Sequence, residues 1–296
     1  MKVLILGTSG QVGDALMRAA WPQDSALVGL SRPDIDMLRP ETVEAAVAAH
    51  APDLVVNATA YTAVDKAESD RDAAFTVNRD GPGRLAAACA ARGIPLIHIS
   101  TDYVFDGSKP GPYTEEDPVR PLGVYGASKE AGEAAVRTAL PQHVILRTSW
   151  VYAVHGANFV KTMLRLGRER EELGVVADQH GAPTAAADIA DAIVAIARRI
   201  DSDPAGVWGT YHFTGAGETT WHGFADRIFQ RLERETGRRP RLKAIGTADY
   251  PTPARRPANS RLDCAKIRAV FGIEPPRWGD SLERVLDALL SPATAS

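Results

Sequence analysis

The 296-residue sequence predicts an α/β fold, a doubly wound parallel sheet completed by a smaller C-terminal α/β lobe. Three observations carry the prediction. Short aliphatic runs alternate with amphipathic, alanine-rich stretches through the first half of the chain. The runs are almost unbroken in apolar residues, as strands covered on both faces are. The alternation stops after Trp150, where Pro/Gly-rich pieces begin.

In chain order, Val3–Leu6, Ala26–Leu30, Leu54–Asn57, Leu96–Ser100 and Val144–Arg147 read as buried strands. Between them Gln11–Ala20, Pro40–Ala49, Asp72–Arg92 and Ser128–Ala139 repeat apolar residues at helical spacing. Right-handed crossovers then place helices on both faces of one sheet. Beyond Trp150, Gly181-Ala182-Pro183-Thr184 and Tyr250-Pro251-Thr252-Pro253 interrupt helical stretches at Ala187–Arg199, His222–Glu235 and Ser281–Leu290. Residues 1–150, with about 175–205, are assigned to the sheet domain, and about 151–174 with 206–296 to the second lobe. The ligand site is expected in the crevice outside the carboxyl ends of the strands.

Composition excludes several classes. Hydrophobic residues at 45% and charged residues at 24% describe a globular chain, not a disordered or fibrous one. A formal charge of -3 argues against a nucleic-acid partner but leaves room for an anionic small molecule. The two cysteines, Cys89 and Cys264, are too few for a disulfide framework and suit a reducing compartment. Met1 leads directly into the first strand without a secretory signal, and no apolar run approaches the ~20 residues of a membrane span. A cytoplasmic location and no membrane partner are expected.

Val3–Leu6 runs straight into Gly7-Thr8-Ser9-Gly10-Gln11-Val12-Gly13, ahead of a helix. Glycine is needed where the backbone turns sharply and where a side chain would hold a pyrophosphate off the main chain. The helix start adds unpaired N–H groups and a partial positive charge. The spacing is G-x-x-G-x-x-G, and its place in the first βαβ unit marks it as a dinucleotide turn of Rossmann type. At the end of the second strand, Ser31-Arg32 precede Asp34 and Asp36. Arg32 suits a 2′-phosphate, so NADPH is favoured with NADH also accepted, although Arg32 reads equally as a solvated surface residue.

Tyr125-Gly126-Ala127-Ser128-Lys129 sets a phenol and an ammonium four residues apart, on one face of a helix. A free tyrosine, with a pKa of about 10, is a poor proton source at neutral pH, and a nearby ammonium is expected to lower it. The lysine could also hold the cofactor ribose. Ser100-Thr101-Asp102 ends the strand Leu96–Ile99, placing a hydroxyl at the carboxyl edge of the sheet where it can bond a substrate carbonyl.

These motifs, in this order, resemble the extended short-chain dehydrogenase/reductases and, within them, the dTDP-4-dehydrorhamnose reductase family. The resemblance extends through nearly the whole chain. It is carried by GTSGQVG at Gly7–Gly13, NATAYTAVDKAE at Asn57–Glu68, STDYVFDG at Ser100–Gly107 and VYGASKEAGE at Val124–Glu133. The stretches Arg147–Leu166, Asp178–Thr184 and Tyr250–Leu262 continue it and are more discriminating than the glycine turn.

The resemblance implies roles position by position. Gly10, Gln11, Val12 and Gly13 would line the cofactor phosphates, Asp36 and Met37 the adenine, and Ala60, Tyr61 and Thr62 the nicotinamide half. Thr101, Tyr125 and Lys129 match the catalytic trio. Asp102 and Trp150 match contacts to a dTDP-linked 4-keto-6-deoxysugar, although Trp150 also reads as core packing. Arg256, in Arg255-Arg256-Pro257, would meet the diphosphate, where a bidentate guanidinium is suited. His98 reads as strand packing and His180 is left open. Some relatives dimerise through a metal held by glutamates. The matching positions here are Ala15 and Ala187, which cannot ligate a cation, so no metal is predicted and the assembly is a monomer or a homodimer.

The implied reaction is reduction of dTDP-4-dehydro-β-L-rhamnose, the last step toward dTDP-L-rhamnose. A dehydratase would need an acid pair after the threonine, but Asp102 is followed by Tyr103. Another nucleotide-sugar 4-ketoreductase, or a non-catalytic NADP-binding regulatory subunit, are the alternatives.

Overall fold

The computed structural model describes residues 1–32 and 34–290. From the N-terminus, β1 (Lys2–Leu6), α1 (Gln11–Arg18), β2 (Ala26–Leu30), α2 (Pro40–His50) and β3 (Leu54–Asn57) follow one another. Next come α3 (Val64–Ala67), α4 (Arg71–Phe75), a π-helical turn over Thr76–Asp80 and α5 (Gly81–Ala90). The helical pattern over Asp72–Arg92 is thus real but widened in the middle. The reason is visible across the turn: a methyl on Gly132 would sit 1.9 Å from the Asn78 carbonyl oxygen, so the turn lies directly on the neighbouring helix.

That neighbour is α6 (Val124–Ala139), reached through β4 (Leu96–Thr101) and a 3-10 turn over Asp102–Val104, and followed by β5 (His143–Thr148). The helix begins four residues before the start expected from periodicity. Gly123 has no capping side chain of its own, and Glu68 accepts the Val124 N–H from outside at 2.8 Å. Tyr125 therefore lies in the first helical turn.

The second half contains β6 (Val151–Tyr152), α7 (Phe159–Glu169), β7 (Glu172–Val176), β8 (His180–Gly181), β9 (Thr184–Ala185) and α8 (Ala186–Ser202). It continues with β10 (Gly209–His212), β11 (Thr219–Thr220), α9 (Trp221–Thr236), β12 (Arg241–Ile245), α10 (Ala265–Phe271) and α11 (Trp278–Leu290). Six strands form one sheet in the order β10-β5-β4-β3-β1-β2, every neighbouring pair parallel. The order reverses at β1, and the crevice opens at the carboxyl ends beside this reversal.

Two aliphatic layers cover the sheet. Val3, Ile5, Val56 and Leu146 face Leu16 of α1 and Ile189, Ile193 and Ile196 of α8. Leu4, Leu6, Val55 and Ile145 face Val43 and Val47 of α2, Leu85 and Cys89 of α5, and Val136 of α6. A third core joins α7, α9 and α11 through Val160, Leu164, Phe224, Phe229 and Leu286.

Three boundary assignments change, one of them α10, expected in the C-terminal lobe, whose Ile267 buries into the first aliphatic layer. Gly209–His212, placed by the sequence with the C-terminal lobe, is the edge strand beside β5, because Tyr211 and Phe213 bury into the first aliphatic layer. Val175 and Val176, placed with the sheet domain, belong to β7, which pairs with β12 and packs into the third core.

Candidate active site

The glycine turn is built by three separate demands. Gly7 has φ +91°, and its N–H donates to the Leu30 carbonyl at 2.8 Å. A methyl on Gly13 would sit 2.0 Å from the Gly7 carbonyl oxygen, so Gly13 serves the closure of the turn and lines no cavity described here. Gly10 is different. It caps α1 with no side chain and is exposed, leaving the helix start open to a ligand.

Two cavities meet at this turn. The smaller, about 140 Å³, is lined by Gly7, Gly10, Arg32, Asp36, Met37 and Ala60. The larger, about 560 Å³, is lined by Gly10, Gln11, Val12, Ala60, Thr62, Thr101, Asp102, Tyr125, Lys129 and Trp150. Both include Ser9, Gly10 and the Ala58–Ala60 segment, so they form one trough across the strand ends. An uncapped helix start between a cation-bearing cavity and a hydroxyl-bearing one fits a phosphorylated dinucleotide.

Not every expected residue faces this trough. The Tyr61 side chain turns away, donating to Asp70 at 3.0 Å and packing beside Ala67, Ala74 and Val124. Arg256 lies outside as well, in an outer cavity of about 470 Å³ with Asp65, Gln179, Trp221 and Tyr250. It pairs there with Asp65 at 2.8 Å. Tyr103 lines both the outer cavity and the larger trough cavity, and so joins them. His98 is buried in β4 with Nδ1 3.1 Å from the Asn57 amide, whereas His180 is exposed on β8. Ala15 and Ala187 line a separate hollow with Asp14 and Asp191, and among the described residues no group of three His, Cys, Asp or Glu side chains could hold a metal.

Electrostatics around the trio depart from expectation at one point. Burial pushes the Tyr125 phenol up to about 12, with the Thr101 hydroxyl drawing it the other way. Lys129 is not among the groups that lower it in this state; its ammonium donates to the Ile99 carbonyl at 2.8 Å. Burial brings Lys129 itself down to about 8, and the nearby Glu133 carboxylate opposes that fall. Tyr125 is thus a protonated phenol at neutral pH, the form a proton donor must start from. Asp102 is pushed up to about 6 by burial, with the nearby Ser260 and Thr101 hydroxyls opposing that rise. One of its oxygens accepts from Thr101 at 3.0 Å while the other, Oδ2, is buried without a partner.

Beneath the trio lies a set of polar residues that the sequence reading missed. Glu133, fully buried one turn after Lys129, accepts from Ser100 at 2.6 Å, from Arg147 at 2.9 and 2.6 Å, and from Arg137 at 3.0 Å. Asn78, in the π-helical turn, accepts the Tyr61 N–H at 2.8 Å and donates to Ser128 at 3.0 Å. It ties the loop after β3 to the helix carrying Tyr125 and Lys129. An arginine inside an otherwise apolar strand, and an acid four residues after Lys129, were the available signals.

Trp150 has φ +48°, a left-handed backbone that costs a bulky residue about 1–3 kcal/mol. Its ring stacks on Trp221 with centroids 3.7 Å apart and planes 12° apart. A methyl on Gly181 would lie 2.5 Å from its Cε2 atom, so glycine there makes room for the indole.

A family model described as the RmlD substrate binding domain matches residues 1–291. A dTDP-4-dehydrorhamnose reductase from Sinorhizobium fredii is 51% identical over 291 residues, spanning 98% of each chain. A crystal structure of such a reductase from Clostridium acetobutylicum has a TM-score of 0.90 at 36% identity, covering 98% of this chain and 99% of that one. Another from Bacillus anthracis, in complex with NADP, has a TM-score of 0.89 at 36% identity, covering 97% and 99%.

Proposed function

The chain belongs to the RmlD family of dTDP-4-dehydrorhamnose reductases, and from that premise we infer its reaction. It reduces the C4 ketone of dTDP-4-dehydro-β-L-rhamnose to give dTDP-L-rhamnose, with NADPH as reductant. NADH is proposed as a poorer substitute. The observation that carries the site assignment is that Thr101, Tyr125 and Lys129 line the same trough as the uncapped turn at Gly10.

When bound, NADPH supplies the hydride. Gly10, Gln11 and Val12 present the start of α1 to its phosphates, Arg32 the 2′-phosphate, and Asp36 and Met37 the adenine end. Tyr125, protonated and close to Thr101, donates its phenolic proton to the oxygen at C4 as negative charge develops there. Thr101 bonds the same oxygen, exchanging its present bond to Asp102 for one to substrate. Lys129 is the cation that stabilises the phenolate left behind. Asp102 offers its unpartnered oxygen to a sugar hydroxyl, Trp150 walls the sugar, and Arg256 meets the diphosphate from the outer cavity.

No helix among the described residues is long and apolar enough to cross a membrane. A cytoplasmic enzyme, monomeric or homodimeric, is proposed.

The deciding experiment mixes the protein with NADPH and enzymatically made dTDP-4-keto-6-deoxyglucose, with and without a 3,5-epimerase. Loss of absorbance at about 340 nm and formation of dTDP-L-rhamnose only with the epimerase is the expected result, reflecting oxidation of the cofactor by the epimerised ketone. NADPH consumption without the epimerase would point to another 4-keto sugar, and none in either case would sink the assignment.

A further inference from the structure

We propose that Trp221 is a positioning residue for Trp150, through which occupancy of the outer cavity sets the wall of the reaction cavity. The inference rests on the reading of the outer cavity as the nucleotide site.

Trp150 has no intrinsic reason to keep its left-handed backbone, so its neighbours must hold it. Its carbonyl accepts the Thr184 N–H at 3.2 Å, which fixes one end of the residue. Gly181 leaves space for the edge of the indole. Neither contact determines the plane of the ring; Trp221 does. Aromatic pairs usually sit with centroids about 4.5–7 Å apart in offset or edge-on arrangements. At 3.7 Å and 12° these two rings overlap face to face, so tilting one displaces the other.

Trp221 is itself well anchored. It is the first residue of α9, whose Thr220 cap accepts the Gly223 N–H at 3.1 Å, and the Phe159 ring backs it at 4.7 Å. Trp150 lines the reaction cavity beside Thr101 and Tyr125, whereas Trp221 lines the outer cavity beside Arg256 and Tyr250. The two indoles form a plate between the cavities, so a ligand pressing on Trp221 acts on Trp150 through a single ring contact. The sugar is thereby held for hydride transfer only when the nucleotide is seated behind it.

Trp221→Ala and Trp221→Phe test this. A misplacement of about 1 Å at a reacting centre costs on the order of 10²-fold. Trp221→Ala is therefore expected to lower kcat about 10- to 100-fold, with the NADPH Kd within about twofold of wild type. Trp221→Phe, which keeps a ring against Trp150, is expected to recover most of that loss. A merely structural residue would lower the melting temperature and the active fraction while leaving kcat per active site unchanged, and that result overturns the proposal.

Circular dichroism supplies a readout free of turnover, because two overlapped indoles couple as an exciton pair. The couplet should vanish in Trp221→Phe and change saturably when dTDP alone is added to the wild type. A couplet indifferent to dTDP refutes the link between the cavities even if turnover is normal. A wild type inactive on the keto sugar, with a couplet that answers to dTDP, would overturn the proposed reaction and leave this inference standing.

Discussion

Replacing Glu133 by Gln removes one charge from the centre of the protein and changes almost nothing in volume. The carboxylate lies within hydrogen-bond reach of Ser100, Arg137 and two nitrogens of Arg147, and both Glu133 and Arg147 are buried. Glutamine keeps one acceptor oxygen but turns an NH₂ group toward the guanidinium. Arg147 then loses its carboxylate and keeps at most one acceptor oxygen at position 133, beside the Phe105 face 5.1 Å away and a 3.4 Å approach to His212. His212 cannot compensate: burial, followed by Arg147 itself, holds its ring down to about 3, so it stays neutral.

Leaving one partner of a buried pair uncompensated costs about 3–5 kcal/mol. At roughly 2–4 °C per kcal/mol for a chain of this size class, the lower figure gives a fall of about 6–12 °C in melting temperature. Thermal melts of the cofactor-free protein at neutral pH measure it. The sign with pH is also fixed. Arg147 and its neighbours hold the Glu133 carboxyl below its ordinary value despite burial, so its contribution is present above about pH 4.3 and is lost as pH falls through the lower folded value. The gap between wild type and variant should therefore narrow in acid. Replacing both partners, as Glu133→Leu with Arg147→Met, should recover much of the loss, since an apolar pair has no charge to strand. A Glu133→Gln melt within about 2 °C of wild type would refute the reasoning.

Three further outcomes follow from the trough. Tyr125→Phe should bind NADPH normally and lose about 10²–10⁴-fold in turnover, the usual worth of a general acid, so near-normal single-turnover rates would remove it from that role. Lys129→Ala should weaken NADPH binding and slow reduction together; in the wild type the rate should fall as pH rises through about 8, where the buried ammonium is lost, and a flat profile across that value would exclude a role for its charge. Arg32→Ala should weaken NADPH by a few-fold to about tenfold while sparing NADH, with salt narrowing the difference, because Arg32 is exposed at the edge of the smaller cavity. Equal losses for both cofactors would make Arg32 a surface residue only.

What could be read in the sequence is what repeats or is local. Four of the five aliphatic strands bury a run of neighbouring residues, whereas β2, expected to be buried, lies at the sheet edge with no residue fully covered; the Gly7–Gly13 turn must follow its strand directly. Tyr125 and Lys129 share a helix face, which four-residue spacing states outright. Helix α7 went unread, although Asn158 caps it ahead of Val160, Met163, Leu164 and Gly167, buried at helical spacing. Partners distant in the chain were not legible. β7 and β12 pair across 69 positions, from Glu172 to Arg241, and each is largely uncovered, with Val175 and Val176 the buried residues of β7 and none in β12. Tyr61 turns away because Asp70 is there to receive it, and Trp150 has its plane set by a ring 71 residues later. Four-residue spacing suggests that the lysine lowers the tyrosine, but spacing carries no burial, and burial is what pushes the phenol up.

The route of the chain beyond β5 limits how this architecture can vary. After building β6 and α7 the backbone returns to the sheet as α8 and β10, departs for β11, α9 and β12, returns as α10 against the same layer, and ends in α11 on the far side. Ser281 and Arg284 of α11 even bond to Asp188 of α8. A fragment ending near Trp150 would lack an edge strand and, with α8 and α10 gone, most of the helical cover on one face, and the remainder would have no sheet to close upon. The substrate lobe is therefore not a cassette that can be cut out and exchanged for another. Changes of sugar specificity on this scaffold have to come from single positions along the crevice, each made within a chain whose two halves fold only together.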